Sequence, residues 1–321
     1  MKRLYLLVTG ICVAAFSPLV TAQNYPTKTI QIVVPAQPGG GNDFLARLFA
    51  VELQKRVGQS VVVENRAGAG GLIGADFVAR AAPDGHTILA GNDSVLTIPN
   101  FVNTGFNAER DLQAVAAVSA APRTLIASTG VPAKTLKDFV AYARANPGKI
   151  NVAYLQNSSM YLDTLRFVQL AGIDVQLVPY PGGYAQILRA LLGNEVQAVL
   201  GSMVGAIANN VQSGNLTALA VASAQPMPRF PATPTAKSAG IDFDSTAWQG
   251  FFVPAATPRV IAQRLSKELV DIARQRDIQS RIQAEGSDPR AIPMDEAQSI
   301  FATQIRLATE AARAAGIQKT K

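Results

Sequence analysis

The sequence predicts an α/β fold of two lobes, and three observations support this prediction. Apolar runs of strand length alternate with stretches of helical periodicity through most of the 321 residues, an order typical of parallel sheets covered by helices. The chain is also longer than one compact core usually allows. Finally, a strand-to-helix turn rich in proline and glycine occurs twice, at 33–40 and at 177–183. Because ligands of open α/β sheets bind where strands end, two such turns indicate two lobes that close on a small ligand.

The first predicted unit is a strand that begins at Ile30 and a helix capped by Asn42 or Asp43. The β-branched residues up to Val34 are typical of a buried strand. The three glycines that follow Pro38 allow a tight turn. Backbone N–H groups at such a turn, together with the helix dipole, form an anion site. A tight turn without a ligand is the alternative, and this stretch alone leaves both open.

The first 22 residues are predicted to be an export signal rather than part of the fold. Lys2 and Arg3 form a basic start, an apolar stretch follows, and small residues precede a cleavage site after Ala22. The apolar stretch is too short for a membrane anchor. Removal of the signal also removes Cys12, the only cysteine, which fits an oxidising periplasm. The net charge of +7 is spread along the chain, so it does not indicate nucleic-acid binding.

The remaining elements continue the alternation of strands and helices. Strands are predicted at 61–64, 86–90, 115–118, 125–128, 151–154, 175–178, 196–200 and 216–222. Helices are predicted at 73–78, 135–146, 161–170 and 185–192. From Val260 onward the sequence has only helical periodicity.

Side chains that move protons or attack substrates are scarce, so the sequence disfavours an enzyme. The single histidine, His86, lies at the start of a predicted strand, and the chain lacks the common nucleophile and zinc-binding motifs. Gly68, Gly70 and Gly74 imitate a dinucleotide fingerprint, but the third glycine comes one residue too late. We therefore predict turn and packing roles for these glycines, a core or hinge role for Trp248, and neither a cofactor nor a metal.

Short motifs are spread in order over the whole mature chain. They include V-V-P-A-Q-P-G-G-G-N-D-F-L-A-R at 33–47, V-V-V-E-N-R-A-G-A-G-G-L-I-G at 61–74, A-P-D-G at 82–85, P-G-K-I-N at 147–151 and W-Q-G at 248–250. Through these motifs the chain resembles the periplasmic substrate-binding receptors of tripartite tricarboxylate transporters, the Bug family. The resemblance implies a type II periplasmic binding protein with crossover strands at the hinge, near 123–127 and 249–253. Lobe 1 would comprise 23–124 plus 251–321, and lobe 2 would comprise 125–250.

The resemblance also implies a site in which loops of both lobes hold a small carboxylate through backbone N–H groups and waters. The implied residues of lobe 1 are Ala36, Gln37, Pro38, Gly39, Gly40, Gly41, Asn42, Asn92, Asp93, Ser94 and Val95. Those of lobe 2 are Gln156, Asn157, Ser158, Ser159, Tyr180, Gly182 and Ser202. The implied partners of this monomeric receptor are the membrane subunits of a tripartite tricarboxylate-type transporter. A sensor kinase of a two-component system is the alternative partner, and the identity of the solute stays open.

Three features depart from the family pattern and bear on the ligand. The loop at 155–159 has no glycine and offers amide and hydroxyl groups instead. Pro181 stands where a basic residue is common, which weakens the case for a second carboxylate. Gly201 stands where the family often has an aspartate, which weakens the case for an amino group. We therefore predict a ligand with at most one carboxylate and a neutral or aromatic remainder. Diacids held through compensating waters are the alternative.

Overall fold

The computed structural model describes residues 25–100, 105–181 and 183–317, which form a sheet of ten strands flanked by α-helices. The strands are β1 (Ile30–Val34), β2 (Val61–Asn65), β3 (Thr87–Asn92), β4 (Leu112–Ser128), β5 (Asn151–Leu155), β6 (Gln176–Tyr180), β7 (Ala198–Ser202), β8 (Leu216–Val221), β9 (Thr246–Pro254) and β10 (Asp288–Pro293). The helices are α1 (Gly41–Val57), α2 (Leu72–Ala79), α3 (Ser94–Thr97), α4 (Ala108–Asp111), α5 (Leu136–Ala145), α6 (Ser159–Ala171), α7 (Tyr184–Leu192), α8 (Gly205–Gln212), α9 (Arg259–Ala273), α10 (Arg276–Ala284) and α11 (Met294–Ala314). The predicted export signal lies outside the described residues. Within the described ranges, no helix is long and apolar enough to cross a membrane.

The long strand β4 joins two halves of the sheet. Its residues 112–122 pair with β9 and β10, whereas residues 123–128 pair with β7 and β8. Beyond β9, the strands β3, β1 and β2 complete the first half, which we call lobe 1; beyond β7, the strands β5 and β6 complete the second half, lobe 2. Each half contains parallel strands, β1 with β2 and β3, and β5 with β6 and β7. The predicted two-lobed α/β architecture is therefore confirmed.

The chain crosses between the lobes at two adjacent places. The first crossing is within β4, where the N–H of Arg123 donates to the carbonyl of Ser245 at 2.8 Å. The second immediately precedes β9, because every residue of β9 pairs with the lobe 1 part of β4 and its centre also pairs with β3. The predicted crossing at 249–253 thus falls inside a lobe 1 strand. We propose lobe boundaries at 122/123 and 245/246, in place of 124/125 and 250/251.

Aromatic residues fill the core of lobe 1 on both faces of its sheet. On the face covered by α1 and α9, the rings of Phe49 and Phe251 lie 5.1 Å apart. On the face covered by α2 and α11, the rings of Phe252 and Phe301 lie 4.8 Å apart. Trp248, for which a core or hinge role was predicted, packs against this second cluster. Successive residues of β9 thus support opposite faces, which fixes the strand beside the hinge.

The C-terminal elements of lobe 1 also contact lobe 2. Ala308, Ala311 and Ala312 of α11 form a small apolar cluster with Leu162 of α6. In addition, Gly286 packs closely against residues 203–204, so that a Cβ atom at Gly286 would lie 3.0 Å from the Met203 carbonyl oxygen. The two lobes are therefore in contact at these two places in addition to the crossing strands.

Candidate functional site

A cavity of about 330 Å³ lies between the two lobes. Its lobe 1 lining comes from the β1–α1 turn, the ends of β3 and β9, the centre of β4 and the segment after α10. Its lobe 2 lining comes from the start of β4 in that lobe and from the loops before α6, α7 and α8. The lining residues are Ala36, Gly40, Gly41, Asn42, Phe44, Leu45, Asn92, Asp93, Ser94, Ser119, Ala121, Arg123, Leu155, Ser158, Met160, Tyr184, Ser202, Val204, Gly205, Ala247, Gln249, Ile282, Glu285 and Ser287. Small-molecule sites commonly have this size and this position between domains.

About half of the predicted site residues line this cavity. These residues are Ala36, Gly40, Gly41, Asn42, Asn92, Asp93, Ser94, Ser158 and Ser202. The other described residues are not part of the lining. Gln37, Pro38 and Gly39 are exposed on the β1–α1 turn, and Gln156 and Asn157 are exposed in the β5–α6 loop. Ser159 is buried and contacts Ser94, whereas Val95 belongs to a lobe 1 core and Tyr180 to a lobe 2 core. Gly182 lies outside the described residues. Ligand contact by any of these residues stays a prediction.

The β1–α1 turn is held in shape by the buried side chain of Asp43. Its carboxylate accepts hydrogen bonds from the Gly39 N–H and the Asn65 amide, each at 2.9 Å. The hydrogen bond from Arg47, supported by these two, lowers the pKa of Asp43 to about 2 against the opposing effect of burial. The predicted helix cap at Asn42 or Asp43 is wrong. Helix α1 begins at Gly41, so the capping residue is Gly40, whose backbone is extended. The first N–H groups of this helix have no partner within it and lie at the cavity.

A chain of side-chain hydrogen bonds crosses the lobe 1 wall. The Ser119 hydroxyl donates to Oε1 of Gln249 at 2.6 Å, and Nε2 of Gln249 donates to Oδ1 of Asn42 at 2.8 Å. Gln249 was part of a recognised motif, but its place in the site was not predicted. The pairing of β9 with β4 sets it opposite Ser119, and this contact over a long sequence separation leaves no local signal.

Arg123, at the crossing point in β4, is the positively charged residue of the cavity lining. Its place in the site was also not predicted. It is 5% exposed, and its Nε donates to Oδ2 of Asp163 at 3.1 Å. Its two terminal nitrogens donate to Ser159 at 2.9 Å and to Ser202 at 3.4 Å. Burial lowers the pKa of Arg123, but the nearby charge of Asp163, with smaller contributions from other acidic groups, raises it overall. The sequence signal that could have identified Arg123 was its position as a single arginine within the apolar run 112–128, since arginines are rarely buried without a partner or a role.

The lobes meet at Ser94 and Ser159 beside this arginine. The backbone N–H of Ser159 donates to the Ser94 hydroxyl at 3.0 Å, and the two hydroxyl oxygens are 3.2 Å apart. The lobes also meet where a Cβ atom on Gly70 would be 2.6 Å from the carbonyl oxygen of Asn157. Gly70 has a φ of +70° and belongs to the turn before α2, in agreement with its predicted turn role. Both contacts require the lobes to be close together.

Asp93 is the buried acid of the cavity. It follows β3, its backbone N–H donates to the Trp248 carbonyl at 3.0 Å, and it is 2% exposed. Among the described residues, its Oδ1 atom has no hydrogen-bond partner. Burial raises the pKa of Asp93 to about 6, although the charge of Arg123 acts in the opposite direction. A hydrogen bond from Ser159 also lowers this pKa, so the carboxyl group already has a protein partner, and its Oδ1 atom has almost no accessible surface.

The described part of the chain offers no cluster of side chains suited to bind a metal ion. It contains no group of three or more histidine, cysteine, aspartate or glutamate side chains that could hold a metal ion. His86 lies away from the cavity, where its Nε2 accepts a hydrogen bond from the Thr27 N–H at 3.2 Å and its ring packs on that of Tyr25. The histidine therefore has a structural environment at the start of lobe 1.

Comparisons with known proteins extend over both lobes. The model of the tripartite tricarboxylate transporter family receptor, TctC, matches residues 45–313. Protein BugT of Bordetella pertussis is 32% identical over 313 residues, which is 95% of each chain. The structure of the periplasmic binding protein BugD is 29% identical with a TM-score of 0.78, over 92% of this chain and 100% of that one. Malate-bound MatC from Rhodopseudomonas palustris is 30% identical with a TM-score of 0.77, over 89% of this chain and 99% of that one. The predicted fold of a two-lobed periplasmic binding protein is confirmed.

Proposed function

The chain belongs to the tripartite tricarboxylate transporter receptor family, and on that premise we propose that it captures a small organic carboxylate between its lobes and delivers it to the membrane subunits of such a transporter. The observation that supports this proposal most directly is the interlobe cavity, one wall of which is the start of helix α1 at Gly40 and Gly41. The malate bound by its relative MatC supports a carboxylate ligand. The family and its structural neighbours are solute-binding proteins of the periplasm, so the proposal assigns this chain no catalytic step.

The β1–α1 turn is suited to hold the carboxylate. Helix α1 has 17 residues, which is long enough for a full macrodipole, and its unpaired N–H groups are directional donors at the same end. Asp43 fixes the turn before any ligand arrives, since it accepts the Gly39 N–H. A preorganised donor set loses little conformational entropy on binding. This turn therefore supports recognition of one carboxylate group.

The charges of the cavity support our proposal of a single carboxylate. Arg123 is its cation, but Asp163 already lies 3.1 Å from that guanidinium. The other charged lining residues are the acids Asp93 and Glu285. A second carboxylate would add negative charge to a site where the positive charge is already compensated. Arg123 supplies a positive charge that the sequence, with Pro181 in place of a basic residue, did not suggest. Because this charge is paired with Asp163, it is not free to bind a second carboxylate.

A thermal-shift screen tests the proposed function. The purified mature protein is screened against small monocarboxylates, dicarboxylates, amino acids and aromatic acids, with the corresponding amides as uncharged controls. A ligand present at a hundred times its Kd adds roughly 2.7 kcal/mol to the free energy of unfolding. We expect at least one acid to stabilise the protein and its amide not to do so. A screen in which no acid stabilises the protein would overturn the proposal.

Gly40→Val is expected to weaken binding of the best acid from this screen by at least roughly tenfold, or 1.4 kcal/mol. A Cβ atom at Gly40 would meet only the Gln37 carbonyl, at 3.8 Å, and the φ of −86° suits any residue. The variant should therefore fold, while its side chain occupies the space before the helix N-terminus. Calorimetry on the series Gly40→Ala and Gly40→Val should show a loss that grows with side-chain size. Equal affinities across the series would mean that the carboxylate binds elsewhere.

Gly70→Ala is expected to weaken the same ligand by roughly tenfold through impaired closure. The added methyl group would collide with the backbone of Asn157 in the opposite lobe. Gly214→Ala is the matched control, because Gly214 has a similar φ of +75° and no atom within 4 Å of the added Cβ. Calorimetry gives the affinities, and small-angle scattering should show ligand-induced compaction in the wild type and the control. If both variants bind equally well, the close contact between Gly70 and Asn157 is not needed for closure.

A further inference from the structure

The buried hydroxyl group of Ser119 sets the direction of the hydrogen-bond chain in the lobe 1 wall. Ser119 lies on β4 opposite Gln249 of β9, and its side chain is fully buried. Its hydroxyl proton needs an acceptor inside the protein, because a buried donor without a partner is energetically costly. Among the described residues, the acceptor within reach is Oε1 of Gln249, at 2.6 Å. The carboxamide oxygen of Gln249 therefore faces Ser119, and its nitrogen faces away.

This orientation is passed on to Asn42 at the start of α1. Nε2 of Gln249 donates to Oδ1 of Asn42 at 2.8 Å. A carboxamide has one oxygen and one nitrogen, so with the oxygen held by Gln249 the Nδ2 atom of Asn42 is directed elsewhere. Asn42 is half-buried and lines the cavity, and no described residue accepts a hydrogen bond from its Nδ2 atom. The N–H groups of this amide are thus available to the cavity.

These side-chain donors lie beside the proposed carboxylate position. The Gln249 nitrogen is 3.3 Å from the place of a Cβ atom on Gly41, the first residue of α1. The backbone N–H groups of the same helix end are unpaired within the helix. Because Arg123 is paired with Asp163, a carboxylate at this turn depends on neutral donors. An Asn42 amide turned the other way would present its oxygen to that carboxylate and repel it.

We propose that Ser119 and Gln249 are positioning residues, which hold the Asn42 carboxamide with its N–H groups toward the carboxylate of the solute. This inference rests on the proposed function, because that carboxylate is placed at the β1–α1 turn. It adds a side-chain donor to the backbone donors of the turn. It also gives Ser119 and Gln249 a role that is exerted through Asn42.

A double-variant cycle tests this role. The probe is the tightest binder among benzoate, phenylpropionate, valerate, lactate and glutarate or, failing these, the best acid of the screen. By calorimetry, Asn42→Ala should lose at least roughly tenfold in affinity, because it removes the donor. Ser119→Ala should lose roughly fivefold, because the Gln249 amide is then free to turn. In the Asn42→Ala background, Ser119→Ala should cause no further loss, since no amide is left to orient.

Ser128→Ala is the matched control. Ser128 is a buried serine of the same strand, and its hydroxyl oxygen accepts the Gly130 N–H at 3.3 Å, away from the cavity. Its loss removes a buried hydroxyl group from β4 without touching the chain of Ser119, Gln249 and Asn42. The affinity of this variant for the probe should equal that of the wild type.

Nuclear magnetic resonance provides a second measurement on the wild-type protein. The side-chain amide resonances of Asn42, assigned by correlation with its backbone, should shift when the probe is added. Resonances that stay unchanged in the presence of a bound probe would overturn the inference, even if a variant did not fold.

The outcomes separate this inference from the proposed function. If Asn42→Ala keeps full affinity, or if Ser119→Ala weakens binding equally in both backgrounds, the positioning role is overturned while carboxylate binding stands. If no acid of the probe set or of the larger screen binds, the proposed function itself fails and the inference falls with it.

Discussion

Arg123→Met is expected to lower the free energy of unfolding by about 3 kcal/mol and to abolish measurable ligand binding. The guanidinium is 5% exposed and pairs with Asp163, so its loss leaves a partly buried carboxylate without a cation. Asp163 retains 16% exposure of its side chain, and its partial hydration places the loss at the low end of the range for broken buried pairs. Urea unfolding monitored by circular dichroism measures the change.

A double variant separates the ion pair from the site. Arg123→Met with Asp163→Leu replaces the pair by apolar side chains of similar size, which is often neutral or stabilising. We expect this variant to recover most of the lost stability but not ligand binding, because Ser159 and Ser202 lose the donor that orients them. An unfolding midpoint of Arg123→Met equal to that of the wild type would show that the pair contributes nothing to stability.

The alternation of strands and helices could be predicted because it depends on local periodicity. The strand at 30–34 and the glycine turn after it carry their signals within a dozen neighbouring positions, and the structure places β1 there. By contrast, β4 was predicted as two short strands at 115–118 and 125–128. It is one strand of 17 residues, because its alanine-rich centre has little intrinsic strand preference and is held by pairing on both sides.

The chemistry of the cavity could be predicted only where it depends on the backbone. The β1–α1 turn has a local signature, so Gly40 and Gly41 could be named as candidates from the sequence, and both line the cavity. Arg123 and Gln249 reach the cavity through strand pairing and ion pairs between residues distant in sequence. Asp93 was predicted only as part of a loop that offers backbone N–H donors to the ligand. The burial of its side chain, and the lack of a hydrogen-bond partner for its Oδ1 atom, follow from the packing of three elements. Sequence patterns do not encode such distances.

The stability of the unliganded protein is expected to fall between pH 4 and pH 6 because of Asp93. Its pKa is raised to about 6 in the folded protein, from an ordinary value of 3.8, chiefly by burial and against the charge of Arg123. Between these values the folded protein keeps a proton that the unfolded chain has lost, so each rise in pH favours the unfolded chain. Above pH 6 both states are ionised and the penalty is complete; below pH 4 both are protonated and there is none.

Asp93→Asn should therefore gain up to about 3 kcal/mol over the wild type on going from pH 4 to pH 7, at 1.36 kcal/mol per pKa unit. Comparing the two proteins at each pH cancels the other acids, including Asp43, whose lowered pKa reduces stability only as the pH falls from about 4 toward 2. Urea unfolding at pH 4, 5, 6 and 7 measures the difference. A constant difference across this range would mean that Asp93 does not titrate there.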